Sequence, residues 1–146
     1  MNVLSELNFS YTQVTGSLDD KQLHLLVLAF QIESKGLDYV REILDLRQTQ
    51  DVSRLTMKGL VGLSELERER STDRDARMVI LTNDPIIRQV AEAFAYVNTR
   101  GNFTVKCIEN DVNGALDWLG YDSADKNRVK LFIANHAREM ENLPAN

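Results

Sequence analysis

The chain has 146 residues, 17 Lys+Arg against 22 Asp+Glu for a net charge of −5, 43% apolar and 27% charged residues, and a single cysteine. A chain of this length buries roughly 68–70% of its unfolded surface, enough for one core without disulfides or metals. The negative balance argues against a grip on nucleic-acid phosphates, and with Cys107 alone neither an internal disulfide nor a Cys-based zinc site forms.

The opening MNVLSELNFS has no basic region ahead of an apolar stretch. No run approaches ~18 apolar residues, so a cytoplasmic protein without a membrane span is expected. Residues 8–14 place Phe9, Tyr11 and Gln13 on one face and Ser10, Thr12 and Val14 on the other, which predicts a strand. Ser17, with Asp20 three residues on, reads as an N-cap with a carboxylate in the first turn, and helical spacing runs from there to about Ser34. Residues 39–46 are short, apolar and β-branched, which predicts a second strand. Thr56 is placed to cap a helix to about Arg70, with Met57, Leu60, Val61, Leu63 and Leu66 as its core stripe. Met78 to Leu81 is a continuous apolar strand, of the kind covered on both faces. Asp84-Pro85 then opens a helix to about Asn98 that should bury Ile86, Val90, Ala93, Phe94 and Val97. A fourth strand follows over residues 103–108, and Asp111 caps a short helix stopped by Gly120.

Strand and helix therefore alternate four times. That predicts an α/β fold with a four-stranded, mainly parallel sheet flanked by helices and joined by right-handed crossovers. Residues 1–4 leave room for a short fifth strand. Residues 1–121 are expected to form this α/β domain, and residues 122–146 an added amphipathic helix and tail.

Four segments carry a family resemblance: Val14-Thr-Gly-Ser-Leu18, the strand end Asp45-Leu46-Arg47, Arg77-Met-Val-Ile-Leu81, and the closing Ala115-Leu-Asp-Trp-Leu-Gly120. Over about residues 7–120 the chain resembles the STAS-like family, small bacterial domains related to anti-sigma-factor antagonists and described together with lipid-binding Sec14-type domains. The resemblance implies a non-enzymatic regulatory module whose protein partner docks where the second helix begins, with phosphorylation of a hydroxyl there breaking the contact. Thr56, with Ser53 beside it, stands nearest that place, and Lys58, Gly59 and Gly62 complete the candidate surface. The loop reads Asp51-Val-Ser-Arg-Leu-Thr-Met-Lys-Gly59, without the Asp-Ser-Ser-Gly type of signature found in switchable members.

Catalytic motifs are missing: there is no G-x-S-x-G, H-E-x-x-H, G-x-x-x-x-G-K-[ST] or G-x-G-x-x-G, so neither an enzyme nor a cofactor is expected. Asp45, Asp51, Asp84 and Asp111 fall at strand ends, the edge where open parallel sheets bind ligands. Read one way they form an acidic Mg²⁺ pocket; read the other, Asp84 and Asp111 are helix caps. A ligand pocket joining Asp45, Arg47 and Asp84 is the corresponding expectation.

Gly59 and Gly62 follow Thr56 at three-residue intervals and make a smooth strip, fitted either to close packing within the chain or to the approach of a partner. The first helix is apolar on two sides, Leu23, Leu26, Val27 and Phe30 on one, Leu25, Leu28, Ala29 and Ile32 on the other, so it needs a second cover. Residues 123–143 put Val129, Phe132, Ile133, His136 and Met140 on one face, to fold back in cis or to build a homodimer. An alternative function is a carrier holding a small apolar ligand such as a lipid between helices and sheet.

Overall fold

Alternating side chains on each strand divide the interior into two cores, one on either face of the sheet. The protein is seen in a computed structural model that describes residues 1–70, 74–99 and 102–141, and among these leaves aside the side chains of residues 64, 66–70 and 137–141. The elements are β1 (Asn2–Leu4), a 3-10 turn at Ser5–Leu7, β2 (Phe9–Gln13), β3 (Gly16–Ser17), α1 (Asp20–Glu33), β4 (Val40–Asp45), β5 (Thr49–Asp51) and α2 (Met57–Arg70). They continue with β6 (Ala76–Thr82), α3 (Pro85–Asn98), β7 (Phe103–Glu109), α4 (Val112–Trp118) and α5 (Ser123–Glu141). The main sheet runs β1-β2-β4-β6-β7; β1 is antiparallel to β2, and all other pairs are parallel. This is the expected α/β class, with the short N-terminal strand present as β1. Thr49 of β5 pairs with Gly16 of β3 in a small parallel ribbon that shapes the approach to α2.

On one face Val40, Leu44, Met78, Ile80 and Val105 meet α1, α2 and α3 through Leu23, Val27, Phe30, Leu60, Leu63, Ile87 and Phe94. On the other, Phe9, Tyr11, Ile43, Val79 and Leu81 meet α4 and α5 through Ala115, Leu116, Val129 and Ile133. The buried Arg41 ties the second core to the sheet, its Nε donating to the carbonyl of Leu119 at 3.0 Å.

Capping fixes the helix starts, with one correction. α1 is capped by Asp19 rather than Ser17: its carboxylate accepts from the Gln22 amide while the Gln22 side chain accepts from the Asp19 amide, a reciprocal box, and Ser17 is drawn into β3. Thr56, Asp84 and Asp111 cap as expected, accepting from Gly59, from Ile86 and Ile87, and from Gly114. The start of α3 at Pro85 buries Ile87, Ala91 and Phe94 and leaves Ile86 69% exposed, one position away from the expected stripe. In α2 the expected stripe is reduced to Leu60 and Leu63, with Met57 61% and Val61 48% exposed, while the side chain of Leu66 lies outside the described residues.

The two halves of the expected helix cover are not together. Val129 and Ile133 are buried against the sheet face opposite α1, with Phe132 packed beside them, its ring 6.1 Å from that of Phe9, edge to face. α5 thus folds back in cis and does not cover α1, whose Leu25 is 53% and Ile32 73% exposed with Leu28 half-buried. The side chain of Met140 lies outside the described residues.

Candidate functional site

Two candidate surfaces adjoin the C-terminal end of β4, one on each face of the sheet. The first is the start of α2. Asp20, in the first turn of α1, reaches across so that its Oδ1 accepts from the Thr56 amide at 2.9 Å and its Oδ2 from the Thr56 hydroxyl at 2.6 Å. These bonds hold the Asp20 carboxyl below the usual carboxylate range. The same hydroxyl accepts from the Gly59 amide at 3.0 Å, so Thr56 is bonded as both donor and acceptor. Ser53 is exposed, its amide held by the Asp51 carboxylate at 2.8 Å.

The glycine strip divides between its two readings. A Cβ built on Gly59 would lie 2.3 Å from the Asp20 carboxyl carbon, so this glycine makes room for the α1–α2 contact. A Cβ on Gly62 would meet nothing within 4 Å, so its smoothness faces outward. Met57 and Val61 stand one turn apart on the exposed part of the same helix, and Lys58 beside them makes no ion pair among the described residues.

The second surface is built around Asp45, whose side chain is 0% exposed. Its Oδ1 accepts from the Arg47 amide at 3.0 Å and the Arg47 Nε at 2.9 Å, and its Oδ2 from an Arg47 terminal nitrogen at 2.8 Å and the Tyr11 hydroxyl at 2.5 Å. Burial alone would push this carboxyl up; the bonds from Arg47 and Tyr11 outweigh it and hold it below the ordinary value. Tyr11, buried and donating to a carboxylate, is pushed well above its usual range. Gln13 pairs with Asp45 across the parallel ladder, and Tyr11 with Ile43, so Tyr11 and Asp45 share the sheet face that α5 covers.

Arg47 leans out of this cluster into a cleft of about 770 Å³. Residues at or just past four parallel strand ends line it: Gln13 and Thr15, Arg47 and Gln48, Asn83, and Asn110. Its other wall is α5, through Lys130, Ile133 and Ala134. Asp84 is not part of it: the carboxylate caps α3 and lines a separate pocket with Arg88 and Glu109. The expected trio of Asp45, Arg47 and Asp84 is therefore an ion pair at the cleft plus a helix cap that lines a different pocket. Asn83, Asn110 and Lys130 were missed by sequence reasoning; the first two carried a signal, each being the residue directly after a strand, but Lys130 reads only as part of a solvated helix face.

Two apolar cavities between the helices and the sheet, one beneath Leu60 and Phe94 and one beneath Phe30, have about 20 Å³ each. That is room for about one water, so an acyl chain there requires the helices to part. Among the described residues no three His, Cys, Asp or Glu side chains are grouped to hold a metal, and no helix is long and apolar enough to cross a membrane.

No family model matches the chain, and no curated protein matches it. A solved structure is similar: that of an uncharacterized protein from the DUF3478 family with a SpoIIAA-like fold from Shewanella loihica PV-4, at 15% identity and a TM-score of 0.48, covering 75% of this chain and 82% of its own.

Proposed function

We propose that the protein is a non-enzymatic interaction module that docks another protein on the start of α2. The observation that carries this reading is the outward face of that helix: Met57 and Val61 are exposed beside Gly62, which has open space where a side chain would stand. A helix interior glycine costs about 1 kcal/mol relative to alanine, and packing within the chain does not require it at this position. The partner has an apolar contact for Met57 and Val61 and carboxylates for Lys58 and Arg54, both exposed at the edge.

Thr56 acts here as a structural anchor. A phosphoryl group on its hydroxyl would break the bond to Asp20 and set two anionic groups face to face, which leaves the exposed Ser53 as the hydroxyl where a phosphoryl group would act on docking and not on the fold. A homodimer is favoured by one observation, the exposed Leu25 and Ile32 on α1; light scattering that gives a dimer for wild type and a monomer for Ile32→Asp supports it, and an unchanged mass removes it.

The test of docking is affinity capture from a lysate of the source cell with wild type, Val61→Asp and Leu131→Asp. Leu131 is exposed too but lies on α5, across the sheet. A protein kept by wild type and Leu131→Asp and lost by Val61→Asp supports the reading. Equal retention by all three, or capture of nothing, overturns it.

A further inference from the structure

The cleft between the strand ends and α5 has a charge character opposite to that of the chain as a whole. The protein carries −5, yet the charged side chains that line this cleft are both cationic, Arg47 and Lys130. The acid beneath them offsets one of these two charges and not the other: Asp45 is fully buried, and its two oxygens are taken up by Arg47 and the Tyr11 hydroxyl. The buried pair is neutral, so the ammonium of Lys130, which has no ion-pair partner among the described residues, is left as an uncompensated positive charge.

Arg47 is also oriented as a binding group. Asp45 fixes its guanidinium plane through two bonds, and a third N–H donates to the Asn110 Oδ1 at 3.3 Å. A guanidinium has five N–H groups, so two remain, on a fork that is already held in place. Gln48 and Asn83 add side-chain amides, while Ile133 and Ala134 supply an apolar wall. A fixed cationic fork, a free ammonium, neutral donors and one apolar wall, in a cleft of the size that holds small molecules, define one class of ligand.

We infer that this cleft binds a small organic oxyanion, a carboxylate or phosphate group held by Arg47 and Lys130, with an apolar body lying on Ile133 and Ala134. The site depends on α5, because Lys130 and the apolar wall belong to that helix. It is separate from the docking face of α2, and either assignment stands or falls without the other.

The experiment is an amide chemical-shift titration of the full ¹⁵N-labelled chain with phenyl phosphate, benzoate and inorganic phosphate. Phenyl phosphate or benzoate should move the amides of residues 47, 48, 83, 110 and 130–134, and whichever binds tighter tells phosphate from carboxylate. Inorganic phosphate, lacking the apolar body, should bind more weakly. Lys130→Glu should weaken binding by roughly tenfold or more, and Lys130→Gln by less. Lys21→Glu, the same charge change at an exposed site on α1, should leave it unaltered. The variants' unperturbed spectra elsewhere establish that they are folded. No cleft shifts with any probe at millimolar concentration, or equal weakening by Lys21→Glu, would overturn the inference.

Discussion

The start of α2 and the cleft beside α5 both follow from the end of β4, yet their polar groups are disposed in opposite ways. At α2 the hydroxyl of Thr56 and the carboxylate of Asp20 satisfy each other, and what remains exposed is shape: two apolar side chains and a bare glycine. In the cleft the carboxylate is buried and the cations are left with donors to spare. A polar cluster that closes on itself offers a partner only a contour, whereas one that buries its anion and exposes its cation offers a specific chemistry. The two surfaces therefore suit different occupants, a protein on one face and a small anion on the other.

The difference is sharpest in the cost of breaking each cluster. Asp45→Ala strands the Tyr11 hydroxyl in the core and leaves Arg47 without its counter-ion. With Arg47 25% exposed, so that water relieves part of the penalty, the loss should be about 3 kcal/mol, read as a lowered urea midpoint at unchanged slope. A loss under about 1 kcal/mol would mean that the pair is no keystone. Ile133→Ala should cost about 2–3 kcal/mol by emptying part of the second core, and a variant as stable as wild type would show that α5 does not pack on the sheet.

Acid should separate the same regions. Asp45 has a folded pKa below its unfolded value, so its charge stabilises the fold above about pH 4 and the contribution is lost as pH falls through the folded value. Wild type should lose stability below about pH 4 more steeply than Asp45→Asn, and parallel acid limbs would contradict the assignment.

At α2 the effects are smaller. Thr56→Ala removes a helix cap and should cost about 1 kcal/mol in chemical denaturation. The glycines provide the finest discrimination. Gly62→Ala should stabilise by about 0.5–1 kcal/mol, because it fills open space on a helix, whereas Gly59→Ala should show no gain, because its Cβ displaces the carboxylate that anchors Thr56. Equal effects at both positions would remove the division of the strip into a packing glycine and a surface glycine.

Much of the fold was legible because its signals are local. Asp84-Pro85, Asp111 and Thr56 mark helix starts by the hydrogen bonds their side chains form, and the apolar runs at β4 and β6 are those of strands covered on both faces. Less legible was what depends on tertiary approach. Ser17 and Asp19 both lie within reach of a cap, and the pairing of β3 with β5 decides between them. Ile86 and Ile87 are equivalent in pattern, and the seating of α3 on the sheet chooses Ile87. The sheet face taken by α5 was hidden too, because its apolar stripe says that something is covered and not what. For the candidate sites, the Asp45–Arg47 pair was visible as a strand end. The part played by Asp20 was not, since it acts on a residue 36 positions away.

The most direct test of the docking claim is hydrogen–deuterium exchange on the protein alone and in complex with the captured partner. The account predicts added protection in residues 56–65, with the amides of α5 unchanged. Protection confined to α4 and α5, with the start of α2 exchanging as before, would contradict it.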